Sequence, residues 1–162
     1  MLTTLAQNEL LSPTSFSLSV HNAISGLFSI ARSDQTSSIA ISAGANTVES
    51  GVIEACGLLE DGEPQILLIV YDKPLPAIFS SYQEENEHAY AWAWLMEKPK
   101  DDTITLSWHD LAEAKENSKQ QLSNQSSERL PMGLDIFRFY LQREKKLKRT
   151  THSHHWCWGR ND

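Results

Sequence analysis

Residues able to do chemistry gather in two places in this chain. Near the C-terminus, His152-Ser153-His154-His155-Trp156-Cys157-Trp158 offers imidazoles and a thiol, which are good zinc or copper ligands. The spacing is no recognised structural-zinc pattern. In a strand, His155 and Cys157 share one face while His152 and His154 share the other, so a four-ligand site would need an irregular turn. No metal and no cofactor is expected. The second place runs from Ser37 to Leu59, where a β-branched run, Ser37 to Ile41, meets the turn Ser42-Ala43-Gly44-Ala45 and then a helical pattern. Gly44 supplies the freedom for a tight turn. A helix start is where the dipole favours a thiolate, but Ala45 stands there, and a methyl group neither attacks nor ionises. Cys56 lies well past the helix start without a nearby base in sequence, and reads as an inert core thiol.

Three segments in order carry a resemblance. Ser12-Pro13-Thr14-Ser15-Phe16 with Ser19-Val20-His21-Asn22-Ala23-Ile24-Ser25-Gly26-Leu27-Phe28-Ser29-Ile30 resembles the stretch ahead of the active-site cysteine in β-ketoacyl synthases. Ile41-Ser42-Ala43-Gly44-Ala45 matches the strand and elbow, counting back from Glu54-Ala55, and Gly62 to Asp72 fits the following turn and strand. The match looks most like the small β-ketoacyl synthase-like, N-terminal-domain proteins described as chain-length factors, of the type found in aryl polyene clusters. Tyr71-Asp72-Lys73-Pro74-Leu75-Pro76 belongs to that signature, and Trp156 and Trp158 also suit the group. The resemblance is specific from about Leu11 to Pro76 and weak beyond.

The resemblance implies an α/β fold, a partial thiolase-like layered sheet with helices, as in the N-terminal half of a ketosynthase. Ala45 then occupies the vacated nucleophile position, so there is no catalytic residue, and Asn22, Ser42 and Gly44 support the elbow. Family members usually carry further chain before the Ser-Pro-Thr-Ser-Phe segment, so this is expected to be an N-terminally shortened member. No sequence after Pro76 repeats the first half, so the histidines of a complete ketosynthase are not expected within these residues. The implied role is a non-catalytic, chain-length-factor-like subunit in fatty acid, polyketide or aryl polyene biosynthesis. It would dock on a true β-ketoacyl synthase through Ser38, Ile39 and Ile41, and meet an acyl carrier protein through Lys145, Lys146 and Lys148. Two other readings stay open: a thiol-dependent acyl-transfer enzyme using Cys56 or Cys157, and a non-functional relic.

Composition is compatible with this. A chain of 162 residues with 40% hydrophobic content is expected to form one domain with a real core. The longest apolar run, Ile66 to Tyr71, is too short to cross a bilayer, and Met1 to Leu11 has no basic start followed by an apolar stretch, so cytoplasm is the expected compartment and Cys56 and Cys157 are expected to be reduced. From Arg138 to Arg160, seven Lys or Arg stand against one acid, a local +6 that leaves −13 for the rest. That acidic remainder argues against nucleic acid as a partner. The basic stretch can steer an acidic partner or be a solvated helix end.

The elements that must position these residues follow from periodicity. Phe16, Val20, Ala23, Ile24, Leu27, Phe28 and Ala31 predict a helix with one buried face. Ser37 to Ser42 predicts a short strand. A helix capped by Asn46 or Thr47 follows, with Val48, Val52, Ala55 and Leu59 inward. Ile66 to Val70, apolar without alternation, reads as a strand covered on both faces. Tyr90, Trp92, Trp94 and Met96 alternate with Ala89, Ala91, Ala93 and Leu95, giving a bulky face for the core and a small one for a close-packed helix. Thr103 to Trp108 predicts a strand, a polar helical stretch follows from His109, and residues 118–127 suggest a mobile connector. Leu130 to Leu147 predicts an amphipathic helix with Leu134, Phe137, Leu141 and Leu147 inward, followed by the tail to residue 162.

Overall fold

The computed structural model describes residues 7–10, 12–82, 88–100, 102–110 and 130–161. The chain divides into two units, Met1–Ser42 and Ala43–Asp162.

In the first unit the expected single helix is two. Helix α1, Pro13–Ser17, starts with proline at its first position and with the Ser12 hydroxyl accepting from the Ser15 N–H at 3.5 Å. Helix α2 spans Ala23–Arg32. Between them the Ser19 hydroxyl donates to the Phe16 carbonyl at 2.7 Å, the side-chain competition that breaks a helix in serine-rich sequence. Helix α2 ends at Ser33, left-handed at φ 53°, and Asp34 then accepts from the Thr36 hydroxyl and N–H. Those two donors hold the Asp34 carboxyl below its usual range, its hydroxyl bond contributing most. Neither helix contains a buried residue, so the apolar stripe of Ile24, Leu27 and Phe28 is real in sequence but uncovered. The predicted strand from Ser37 to Ser42 is irregular: a strand exists only with a partner ladder, and among the described residues this segment has none.

The second unit opens with a 3-10 turn, Gly44–Asn46, in which Gly44 is left-handed at φ 54°. Thr47 fixes this turn, its hydroxyl donating to the Gly44 carbonyl at 2.7 Å and accepting from the Ala43 N–H at 2.9 Å. Helix α3, Thr47–Glu60, buries the predicted Val48, Val52, Ala55 and Leu59, together with Glu49. Gly62, at φ 116°, turns the chain away, and the Glu63 N–H closes on the Leu58 carbonyl. Strand β1, Ile66–Asp72, pairs antiparallel with β2, Tyr90–Met96, with Leu68 opposite Trp94 and Val70 opposite Trp92. The bulky face of β2 is core, as its alternation predicts. Trp92 stacks on Phe137 with centroids 5.2 Å apart and donates to the Gly133 carbonyl at 3.1 Å. The expectation that β1 is covered on both faces fails, because only the face of Ile66, Leu68 and Val70 turns inward. Leu67, Ile69 and Tyr71 lie exposed beside Ala91, Ala93 and Leu95, which is 64% exposed.

Strand β3, Thr103–Asp110, confirms the next prediction and runs two residues further. Helix α4, Met132–Leu141, is shorter than expected: Arg143 turns left-handed at φ 51°, and β4, Lys146–Thr150, replaces its predicted last turns. Its buried residues are Gly133, Ile136 and Phe139, with Leu134 and Phe137 packed beside them, whereas Leu141 is exposed. Strand β5, His154–Asn161, lies between β3 and β4 in an antiparallel sheet of order β3-β5-β4. One core, Val48, Val52, Val70, Trp92, Ile136, Phe139 and Trp158, joins α3 and α4 to both sheets. The polar stretch beyond Asp110 and the connector at 118–127 lie outside the described residues.

Candidate functional site

The elbow keeps its turn and helix but not the strand expected before them, and Ala45 stands in the turn. Ala45 lies in the 3-10 turn directly before α3, half-buried, and presents a methyl group and a carbonyl. That carbonyl accepts from Arg149 Nη2 at 3.3 Å. The same guanidinium pairs with Glu49 Oε1 and touches the Met132 sulfur. Glu49 sits one helical turn beyond Ala45, on the same side of α3, and is fully buried. Its Oε1 also lies 3.4 Å from the Trp158 indole nitrogen, while Oε2 has no hydrogen-bond partner among the described residues. The Arg149 side chain is only 8% exposed. A desolvated carboxylate is tolerated here because a guanidinium stands against it.

Asn46 does not cap α3 through its side chain. It accepts instead from the Trp156 indole at 2.8 Å and donates to the Ser153 hydroxyl at 3.3 Å. The start of α3 is therefore pinned to β4 by Arg149 and to the β5 region by Asn46. Acyl transfer requires a nucleophile that can attack and a base that can activate it. At the elbow the structure offers a methyl group, an amide and an ion pair whose members already hold one another.

The remaining predicted residues fall elsewhere. Gly44 is the first residue of the turn and lies in the second unit, while Ser42 closes the first. Asn22 precedes α2 in the first unit, where its carbonyl accepts from the Ser25 hydroxyl at 2.8 Å and from the Gly26 N–H. Ser38 and Ile39 are exposed and Ile41 half-buried in the irregular segment before the elbow. Lys146 and Lys148 are exposed on β4, alternating with Leu147 and Arg149, and Lys145 comes just before that strand. His155 and Cys157 occupy the face of β5 opposite His154, Trp156 and Trp158, and no group of three His, Cys, Asp or Glu among the described residues is placed to hold a metal. Cys56 is not in the core but on the open side of α3. The protein packed around its thiol, and after that the Glu60 carboxylate, push that thiol up, the opposite of an activated nucleophile.

Sequence reading missed Glu49 and Arg149. The signals were an acid inside the apolar stripe of α3 and an arginine in register with Leu147 on an alternating strand.

Comparison with known proteins agrees with this frame. The family described as "Beta-ketoacyl synthase, N-terminal domain" matches residues 1–159. Among solved structures, the ketosynthase ApeO in complex with its chain length factor ApeC, from Xenorhabdus doucetiae, contains a chain that superposes with a TM-score of 0.73 at 25% identity. The match covers 98% of this chain and 61% of that one, so the present chain spans under two thirds of its relative's length. The curated proteins contain no match. No described helix is long and apolar enough to cross a membrane. With a partial thiolase-like ketosynthase fold and a family match over nearly its whole length, the chain belongs to the β-ketoacyl synthase N-terminal-domain family.

Proposed function

We propose that the protein is a non-catalytic, chain-length-factor-like subunit that docks on a true β-ketoacyl synthase in the cytoplasm and shapes the tunnel for an acyl chain carried on acyl carrier protein. One observation carries the reading: the turn before α3, where the resemblance puts the nucleophile, presents Ala45, and Arg149 beside it holds both Glu49 and the Ala45 carbonyl. A site kept in shape but without a nucleophile suits a wall better than a catalyst. The relative's solved complex of a ketosynthase with a chain length factor supports the same kind of partner. In this reading Ser38, Ile39 and Ile41 meet the ketosynthase, Lys145, Lys146 and Lys148 meet the carrier, and the product belongs to a fatty acid, polyketide or aryl polyene pathway. The upward push on the Cys56 thiol, on the exposed side of α3 beside the Glu60 carboxylate, weighs against reading it as an acyl-transfer nucleophile.

The test is co-purification with a ketosynthase from the same organism. Ile39→Asp or Ile41→Asp abolishes the complex if that segment is the interface, since a buried unpaired carboxylate costs about 3 kcal/mol or more. Replacing Lys145, Lys146 and Lys148 with Gln slows carrier encounter and weakens its salt dependence without dissolving the ketosynthase complex. The reverse pattern places the interface on the basic strand instead.

A further inference from the structure

The solvent side of the β3-β5-β4 sheet carries its polar side chains in ordered rows. Its register makes a grid. Ser107 stands opposite Cys157, which stands opposite Lys148, while His109, His155 and Thr150 form the next row and Thr105, Gly159 and Lys146 the one before. Gly159 leaves the middle of that last row without a side chain. Over the Ser107 and His109 rows lies a shallow, half-open hollow of about 470 Å³, bounded also by Arg149 and Trp156 of the neighbouring positions.

Every side chain in these rows that bears a charge or an N–H or O–H is a donor at neutral pH or able to become one, and none is an acid. Lys146 and Lys148 make no ion pair among the described residues. Arg149 also lines the cavity, but its guanidinium is engaged by Glu49. Thr150 Oγ1 lies 2.9 Å from His155 Nδ1, a contact that fixes the ring over the grid. The opposite face of the same sheet carries Trp108, Trp156, Trp158, Leu106 and Leu147, so the donors are set on a backbone held by the core.

Two point-like ammonium charges, two hydroxyls and two imidazoles around one hollow suit an anion with several oxygens pointing in different directions. A carboxylate has only two coplanar oxygens and is best met by a free arginine fork, which this face lacks. We propose that this hollow is a binding site for a phosphate-class anion, with Lys146 and Lys148 supplying the charge and Ser107, His109 and the one donor left free by the Thr150–His155 bond the directional hydrogen bonds. Phosphate of this kind comes either from a free phosphorylated metabolite or from a lipid headgroup. The site uses neither the elbow nor the segment from Ser38 to Ile41 and so does not depend on docking on a ketosynthase, but it shares Lys146 and Lys148 with the surface proposed to meet the carrier.

The experiment titrates the full chain with inorganic pyrophosphate by calorimetry at low salt, in parallel with acetate, and measures co-sedimentation with phosphatidic acid vesicles. Saturable pyrophosphate binding of millimolar affinity or tighter, absent with acetate, is expected. The Lys146→Ala/Lys148→Ala variant should lose about tenfold or more in affinity. Lys145→Ala, outside the hollow, should lose little, and Ser107→Ala should weaken binding at unchanged net charge. Vesicle binding lost in the double lysine variant, with weak pyrophosphate binding, assigns the phosphate to lipid; pyrophosphate binding without vesicle binding assigns it to a free metabolite. Absence of saturable binding in both arms overturns the proposal. So does an equal loss from Lys145→Ala and from the double variant, which would mean diffuse charge instead of a site. Circular dichroism of each variant establishes that the exposed substitutions leave the fold intact.

Discussion

Replacing Glu49 with Leu tests the centre of the elbow directly. Glu49 is fully buried and Arg149 8% exposed, so removing the carboxylate leaves a desolvated guanidinium without a counter-charge. Breaking such a pair from one side costs about 3–5 kcal/mol, a large share of the roughly 5–15 kcal/mol that holds a typical domain. At about 2–4 °C for each kcal/mol in a protein of this size, the melting temperature should fall by about 10 °C. Arg149→Met alone leaves the opposite orphan, a buried carboxylate, and should cost a similar amount. The double variant removes both charges and loses the hydrogen bond to the Ala45 carbonyl and the one from the Trp158 indole, worth about 1 kcal/mol each. It should therefore be far closer to wild type than either single change. Urea unfolding followed by tryptophan fluorescence measures all four species, with Trp158 beside the pair as reporter. If Glu49→Leu costs less than about 1 kcal/mol, or the two changes simply add, the pair does not hold the elbow and the reasoning is wrong.

Gly133→Ala should destabilise by about 1–3 kcal/mol, because a Cβ there would lie 2.8 Å from Tyr90 Cζ and nearer still to its hydroxyl; an unchanged urea midpoint would show that Tyr90 can move aside. Cys56 should react with iodoacetamide at pH 8 more slowly in the native than in the urea-unfolded chain. A raised thiol has less thiolate at that pH, so the gap should close as pH climbs past the raised value and narrow in Glu60→Gln; faster native alkylation would contradict this. Ala45→Cys should stay inactive in condensation and unacylated by carrier thioesters when alone, since a thiol restores no base or oxyanion donor; a stable acyl adduct by intact mass would refute it. Leu67→Thr with Leu95→Thr should change stability by under about 0.5 kcal/mol yet reduce light scattering of the concentrated chain, because both side chains are exposed.

What was legible in the sequence was whatever repeats locally. The stripe of Val48, Val52, Ala55 and Leu59 follows the helical period, and the Trp92 and Trp94 face follows the strand period, so both were found. Strand β4 was not, because Lys146 to Thr150 has long charged side chains that read equally well as a solvated helix end, and its alternation shows only once Arg149 is known to be buried. The segment from Ser37 to Ser42 has strand composition, but composition provides no ladder partner. The Glu49–Arg149 pair joins residues 100 positions apart, beyond the reach of any local pattern.

The uncovered side of β1 and β2 bears on how much of this protein a cell can hold. A copy standing alone shows Leu67, Ile69, Tyr71 and Leu95 as one apolar strip, the feature that chaperones and proteases use to single out unfinished molecules. Synthesis above the number of available cover surfaces then feeds degradation instead of accumulation. Abundance is then expected to follow whatever shields that strip more than the rate at which the chain is made.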